Sequence, residues 1–512
     1  RQGLLAEIEL RQRLLLGSSP QTRALGERLA GLDRQLASVT LTPAQRDGLR
    51  AQRQQLEGEL NRLLPALRIE PVSTAQVAAA LRALAPQGLL VEFQKYWPWS
   101  RQGSGPADWG PARYVALLLH PDGRIAAIPL GPAAPIDQAI EQAHAASAAN
   151  KSDAPSLWAK VSALLLSPFQ PQLAGVRDLF LSPDGELHRI PYAALPAPGN
   201  GSQLLNAAFQ LRLLTTGRDL IRLQQPAASG SPAVLIANPD YNAIRRSPGS
   251  GRAGASPAPV GGSSPIQTSS TAAPADRQQR SGDIATTKTW APLPGTAQEA
   301  SQLAPLLGGS QPITGGASTA ALVLQQRAPR ILHIATHGFF QADQPPAPTT
   351  PLAAGRTGAP ATPARQEDPL LRSGLVLAGA NHPDVDPTDD GYLTAAEVTG
   401  MALNGTQLVT LSACETGLGD QRSGEGVYGL QRSLTVAGAR STLLSLWKVD
   451  DQATRAFMQA YYTRLQKGAG RAEALASTQA EFRNHPNILY RDLYVWAAFQ
   501  LSGAWRPINA GR

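Results

Sequence analysis

Cys414 is the only cysteine among the 512 residues, and it ends the apolar run in "LVTLSACETGLGD" (408–420). A second β-rich run, "RILHIATHGFF" (330–340), carries His337 near its end. A thiol attacks as its thiolate, so it needs a neighbouring base, donors for the oxyanion that forms, and access to substrate. His337 supplies the base if the two strands are neighbours. Gly338 follows it with no Cβ, so its backbone N–H can approach a substrate closely. That N–H and the N–H of Cys414 make a donor pair of the kind acyl transfer requires. The competing reading is packing, because free cysteine is among the most buried residue types. A phosphatase loop fits poorly, since the arginine after Cys414 is Arg422 and no histidine precedes the cysteine. One cysteine without paired histidines fails zinc chemistry, so no metal is expected.

The elements around these residues must bring them together. "SGLVLAG" (373–379), "TQLVTLSAC" (406–414) and "STLLSLWKV" (441–449) read as further strands. Helical stretches near 296–306, 317–326, 424–437, 451–467 and 469–482 lie among them. Continuous apolar strands alternating with helices predict an α/β fold: a mostly parallel sheet covered by helices on both faces. In such sheets reactive groups collect beyond the carboxyl ends of the strands, where His337 and Cys414 stand. His333 shares strand parity with His337 but lies deeper, as a core or supporting residue. His120, His144, His188, His382 and His485 have no partner pattern, and surface positions are expected for them.

Upstream, 1–70 reads as a helical hairpin or coiled-coil region. Ser19-Pro20 and Thr42-Pro43 offer N-caps with proline at the first helical position. Leu25, Leu29, Leu32 and Leu36, then Leu49, Leu56, Leu60 and Leu63, place leucines along one face of each helix. Residues 75–240 form an α/β half with two expected hairpin turns, Pro121-Asp122-Gly123 and Pro183-Asp184-Gly185. Residues 241–288 are rich in Ser, Gly and Pro and predict a disordered insert. A Pro-rich loop at 341–368 interrupts the half at 289–512. No apolar run of membrane-spanning length is present. A chain opening on Arg1 is expected to be part of a longer one, so the lack of a visible leader carries no weight. A single cysteine suits a reducing compartment, and cytoplasmic location is the expectation. The net charge is +8, but only six of the 46 basic residues are lysines and no dense basic run exists. Nucleic acid is therefore not the expected partner.

The ordered motifs "HIATHG" (333–338), "SGLVLAGAN", "DGYLTAAEV" and "LSACETG" (411–417) resemble the CHAT domain. So do "GEGVYGLQRSLTVAGARSTLLSLWKVDD" and "WAAFQLSG" (496–503). CHAT domains are caspase-like cysteine peptidases of clan CD, related to separases and often found downstream of tetratricopeptide repeats. The resemblance runs through most of 75–505 and implies a caspase-like sheet preceded by a degenerate, pseudo-protease half at 75–240. It implies a His337–Cys414 dyad, no third residue and no cofactor, acting on protein or peptide substrates. "LWKVDDQA" resembles a separase stretch whose acidic residue receives a P1 arginine; Asp451 is the better match and Asp450 the second. Capping of the helix that begins near 451 is the alternative role for both. Repeats upstream, or the N-terminal helices, would dock a regulatory partner. Arg245, Arg246, Arg252, Arg277, Arg280, Arg356 and Arg365 lie in the two inserts as sites for self-cleavage. The alternative function is a latent or non-catalytic signalling module with the same fold.

Overall fold

The computed structural model describes residues 72–100, 108–225, 231–244, 289–340, 370, 373–383, 385–386, 389–412 and 425–508, with parts of 24–59. Cys414, the whole insert at 341–368, the insert at 241–288 except residues 241–244, and all seven insert arginines lie outside the described residues. In the N-terminal region Leu25 and Leu56 are buried in one small cluster, with Leu29 and Leu32 packed against it.

The first strands in chain order are β1 (Gly88–Tyr96), β2 (Trp99–Ser100), β3 (Asp108–Trp109), β4 (Arg113–Leu119), β5 (Ile125–Pro132) and β6 (Asp178–Ser182). Next come β7 (Pro196–Ala197), β8 (Asn200–Leu204), β9 (Gln210–Leu213), β10 (Val234–Pro239), β11 (Ile313–Gly315) and β12 (Ile331–Ala335). The last are β13 (His337–Phe340), β14 (Ser373–Val376), β15 (Tyr392–Thr394), β16 (Leu408–Leu411), β17 (Ser441–Ser445) and β18 (Phe499–Gly503). Eleven of them form one sheet in the order β11-β10-β12-β16-β17-β18-β9-β6-β1-β4-β5. Only the β1–β4, β4–β5 and β17–β18 pairs in it are antiparallel. The fold is thus the α/β class that the apolar runs predict.

Strand alternation explains the two-sided cover. Leu235, Leu408 and Leu443 face one core with Phe457 and Tyr461 of the helix Asp451–Gln466. Their neighbours Ile236, Val409 and Leu444 face the other, with Leu430 and Leu434 of the helix Glu425–Val436. Each fully buried leucine contributes about 1.5–3 kcal/mol relative to exposure.

Three expectations are corrected. Val234–Pro239 belongs to the second half of the sheet, between β11 and β12, where Leu235, Ile236 and Ala237 are fully buried. The half that begins upstream therefore ends before 234, not at 240. The run 330–340 is two strands: β12 stays in the large sheet, while β13 joins β14 and β15 in a small antiparallel one. The turn at 121–123 does link the β4–β5 hairpin. The one at 183–185 instead starts a 3-10 helix, Gly185–Arg189, because Asp184 accepts hydrogen bonds from the N–H groups of Gly185 and Lys95.

The halves of the sheet meet at one strand pair, Leu213↔Ser502. A second tie is buried: His144 Nε2 donates to the Leu446 carbonyl at 2.9 Å, and Arg189 reaches His144 Nδ1 at 3.4 Å. His144 and His188 are buried, not on the surface, because their helical turns face this junction. Both imidazoles are held down to about 3, His144 by burial and then Arg189, His188 by burial. The unfolded ring, near 6.5, takes up a proton that the folded one refuses. The stability each contributes is therefore complete above the unfolded value and is lost as pH falls from there toward 3. Unfolding free energy is expected to drop by about 1.4 kcal/mol per pH unit for each histidine in that window. Thermal unfolding as a function of pH checks this, and His188→Gln should flatten the slope.

Candidate active site

β12 and β16 run parallel with Ile331↔Leu408 through Ile334↔Leu411 in register. Both chains therefore leave the sheet at the same edge, and the Ser412 N–H donates to the Ile334 carbonyl at 2.9 Å just beyond the last pair. Along the sequence His337 is three residues past Ile334, and Cys414 is three past Leu411. Thr336 turns the first chain out of the large sheet: its hydroxyl donates to the Val376 carbonyl and accepts from the Tyr241 hydroxyl at 2.9 Å. His337 then opens β13 opposite Val376, and Gly338 stands opposite Leu375.

His337 is only 7% exposed. Its Nε2 lies 2.8 Å from the Ala291 carbonyl oxygen. A carbonyl can only accept, so Nε2 donates this bond and carries a proton. The rings of Tyr241 and Trp290 each sit 5.2 Å from the imidazole. A cleft beside the ring is lined by Thr336, Ser412, Glu299, Gly295 and Asp451.

The two aspartates divide. Asp450 caps the helix Asp451–Gln466, accepting from the N–H groups of Gln452 and Ala453. Asp451 lines the cleft with His337. Burial raises its carboxyl above the ordinary carboxylate range, Asp450 and Glu299 push the same way, and Lys448 and His337 partly offset them. Gly295 makes room for it, since a Cβ there would fall 2.5 Å from the Asp451 Oδ2.

Sequence reasoning missed Glu299, a carboxylate 2% exposed on the helix Pro294–Leu303. Its Oε2 accepts from Ser412 Oγ at 3.2 Å, and its Oε1 lies 3.0 Å from His333 Nε2. That second contact is close enough for an ion pair but off the line of a straight hydrogen bond. His333 Nδ1 meets the Tyr462 hydroxyl at 3.2 Å, which meets Thr410 Oγ1 at 2.7 Å. One proton arrangement fits the bonded members: Thr410 to Tyr462, Tyr462 to His333 Nδ1, and Ser412 to Glu299, while His333 Nε2 faces Glu299 without completing a hydrogen bond. The Tyr462 proton stays in place because burial drives its hydroxyl far above the usual range. The only sequence signal was an acidic residue on the buried face of an amphipathic helix. His333, read as core or supporting, is the member that the sequence did single out.

A buried carboxylate stripped of water costs several kcal/mol unless paired, and breaking such a pair leaves the partner uncompensated. Glu299→Ala is expected to lower stability by about 1–3 kcal/mol, the cost of leaving the buried Ser412 hydroxyl and its neighbours unpaired, with Glu299→Gln losing less because it still accepts and donates. Urea titration of the three proteins measures this. Equal midpoints for Glu299→Ala and the parent would show the network to be inert.

Among the described residues no helix is long and apolar enough to cross a membrane, and no cluster of His, Cys, Asp and Glu could hold a metal. The CHAT domain model matches residues 156–504. Tetratricopeptide repeat protein 28 from Homo sapiens and from Mus musculus is 27% identical to this chain over 43% of it. The chain spans only 9% of the length of either relative. Two crystal structures of the Saccharomyces cerevisiae separase–securin complex align at 11% and 12% identity, covering 64% and 95% of this chain and 15% and 27% of theirs. Both have a TM-score of 0.32, too low to bear on the fold. The family match stands independently of them, covers more than half of the chain, and contains both strand ends that frame the cleft. This chain belongs to the CHAT domain family, within the caspase-like cysteine peptidase clan.

Proposed function

We propose that the chain is a cysteine endopeptidase working through His337 and Cys414. The observation that carries this reading is the 2.8 Å contact of His337 Nε2 with the Ala291 carbonyl, which supports Nδ1 as the nitrogen that takes the proton. His337 Nδ1 accepts the thiol proton, and the Cys414 sulfur bonds to the substrate carbonyl carbon. The N–H groups of Gly338 and Cys414 receive the oxyanion. As the C–N bond breaks, the imidazolium returns its proton to the leaving amine. Water then hydrolyses the thioester, releasing the new carboxylate and restoring the thiol.

Asp451 is the proposed acid for a P1 arginine. Its carboxyl is held above the ordinary range and it stands on the same cleft as His337, which suits a guanidinium that binds both carboxylate oxygens. Asp450 is spoken for by the helix N-terminus and serves as the cap. The low exposure of His337 favours an enzyme opened by a protein partner, docked on the N-terminal helices or on repeats upstream.

A scan of fluorogenic peptides varying P1 tests the assignment. Cys414→Ala should lose activity by about 10⁴-fold or more. Asp451→Asn should lower kcat/KM for P1 arginine by about 10–100-fold, the worth of one charge-assisted contact, and leave a neutral P1 nearly unchanged. Activity retained by Cys414→Ala would remove Cys414 as the nucleophile. No cleavage by either protein would favour the non-catalytic signalling module. Self-cleavage in the inserts predicts fragments ending at the insert arginines; an intact mass that stays constant on long incubation, as in Cys414→Ala, would rule it out.

A further inference from the structure

"SGLVLAGAN" ends on Asn381, a residue to which the peptidase reading gives no task. Among the described residues, two distant pieces of chain place rings or a carbonyl against His337: Tyr241, just after β10, and the Trp290–Ala291 segment ahead of the helix Pro294–Leu303. Asn381 bonds to both. Its backbone N–H donates to the Tyr241 carbonyl at 2.9 Å. Its side-chain oxygen accepts from the Trp290 N–H at 2.8 Å, and its Nδ2 donates to the Trp290 carbonyl at 3.1 Å. The same Nδ2 donates to the Asn242 side-chain oxygen at 2.9 Å. The Trp290 indole is held at its other end, donating to the Tyr392 hydroxyl at 3.0 Å.

The loop bearing Asn381 is itself fixed to the fold. Gly379, at φ +91, donates its N–H to the Asp240 carbonyl at 3.1 Å, and the Ala378 N–H donates to the Ser318 carbonyl at 3.0 Å. Directly before this loop comes β14, whose Val376 pairs with His337. Asn381 is therefore joined to the imidazole three ways: through the Tyr241 ring, through Trp290 and the adjoining Ala291 carbonyl, and through β14.

We propose that Asn381 is a positioning residue for His337. By tying Tyr241 to Trp290 it sets where the Ala291 carbonyl stands, and hence which imidazole nitrogen holds the proton. An amide suits the task because one side chain must both accept from the N–H and donate to the C=O of a single residue, which neither a carboxylate nor a hydroxyl does with two separate atoms. The inference rests on the reading of His337 as the base, but its main readout does not require activity.

The test is ¹⁵N NMR of histidine-labelled protein, parent against Asn381→Ala, combined with peptide kinetics. In the parent, His337 is expected as the single Nε2–H tautomer at neutral pH. In Asn381→Ala the ring should become a mixture of tautomers, and kcat should fall by about 10–100-fold with KM little changed, the cost of a catalytic group held about 1 Å out of place. If Asn381→Ala does not fold, the isosteric Asn381→Asp takes its place. It keeps the acceptor for the Trp290 N–H and loses both donated bonds, so the same two changes are expected. A single Nε2–H tautomer in the variant overturns the proposal, whether or not kcat falls, because the residue would then be structural only. A mixed tautomer in a protein that cleaves nothing supports the positioning role and counts against the peptidase reading alone.

Discussion

The Glu299 carboxylate is buried at the point where two strands finish, and neither strand can move without disturbing it. His333 reaches it from β12 and Ser412 from just past β16, so one acidic side chain ties together the two chain ends that the candidate chemistry needs. The attachment is strong because the site is dry: with 2% exposure, water cannot replace either partner. Tyr462 extends the tie to the helix Asp451–Gln466, whose first turn carries Asp451. The end of β12, Ser412 beyond β16 and the helix that opens on Asp451 are thus referenced to one buried network.

A second layer of constraint comes from the antiparallel sheet of β13, β14 and β15. Thr336 marks the break between two sheets, and its hydroxyl is occupied on both sides, by Val376 and by Tyr241. The chain cannot continue straight as β12, so His337 is swung out of the large sheet's core into an aromatic cluster with Trp290, Phe339 and Tyr392. Positive-φ glycines at 379 and 391 belong to the same region, and a Cβ on Gly391 would fall 2.3 Å from the Ala380 nitrogen. These two positions need glycine for backbone reasons, independently of any chemistry.

Membership in the CHAT family accounts for the order of motifs, and the sheet accounts for why that order works. The insert at 241–288 follows β10, the first strand of the second half in sequence, and the chain re-enters that half at Trp290. A long insertion is tolerated there because its two ends are already adjacent, and closing a loop costs only slowly more as it lengthens. The two halves share one strand pair and the buried His144–Leu446 contact, and each has a core to which the other lends a residue, Ala194 to one and Leu493 to the other.

The apolar runs at 331–335, 408–411 and 441–445 were legible because strands buried on both faces carry no polar alternation. His337, Cys414, Gly338 and the two aspartates were legible as residue types beside those runs, and the α/β class followed from the alternation with helices. The sequence by itself determined which residues can do chemistry and that a mostly parallel sheet carries them. Only tertiary structure decided that Val234–Pro239 changes halves, that 330–340 breaks at Thr336, and that Asp450 caps while Asp451 faces the cleft. It alone brought Glu299, Ala291 and Asn381 to the two strand ends. The physical reason is range: periodicity and capping act over a few residues, whereas a buried carboxylate or a pinned imidazole is defined by partners that sequence distance does not reveal.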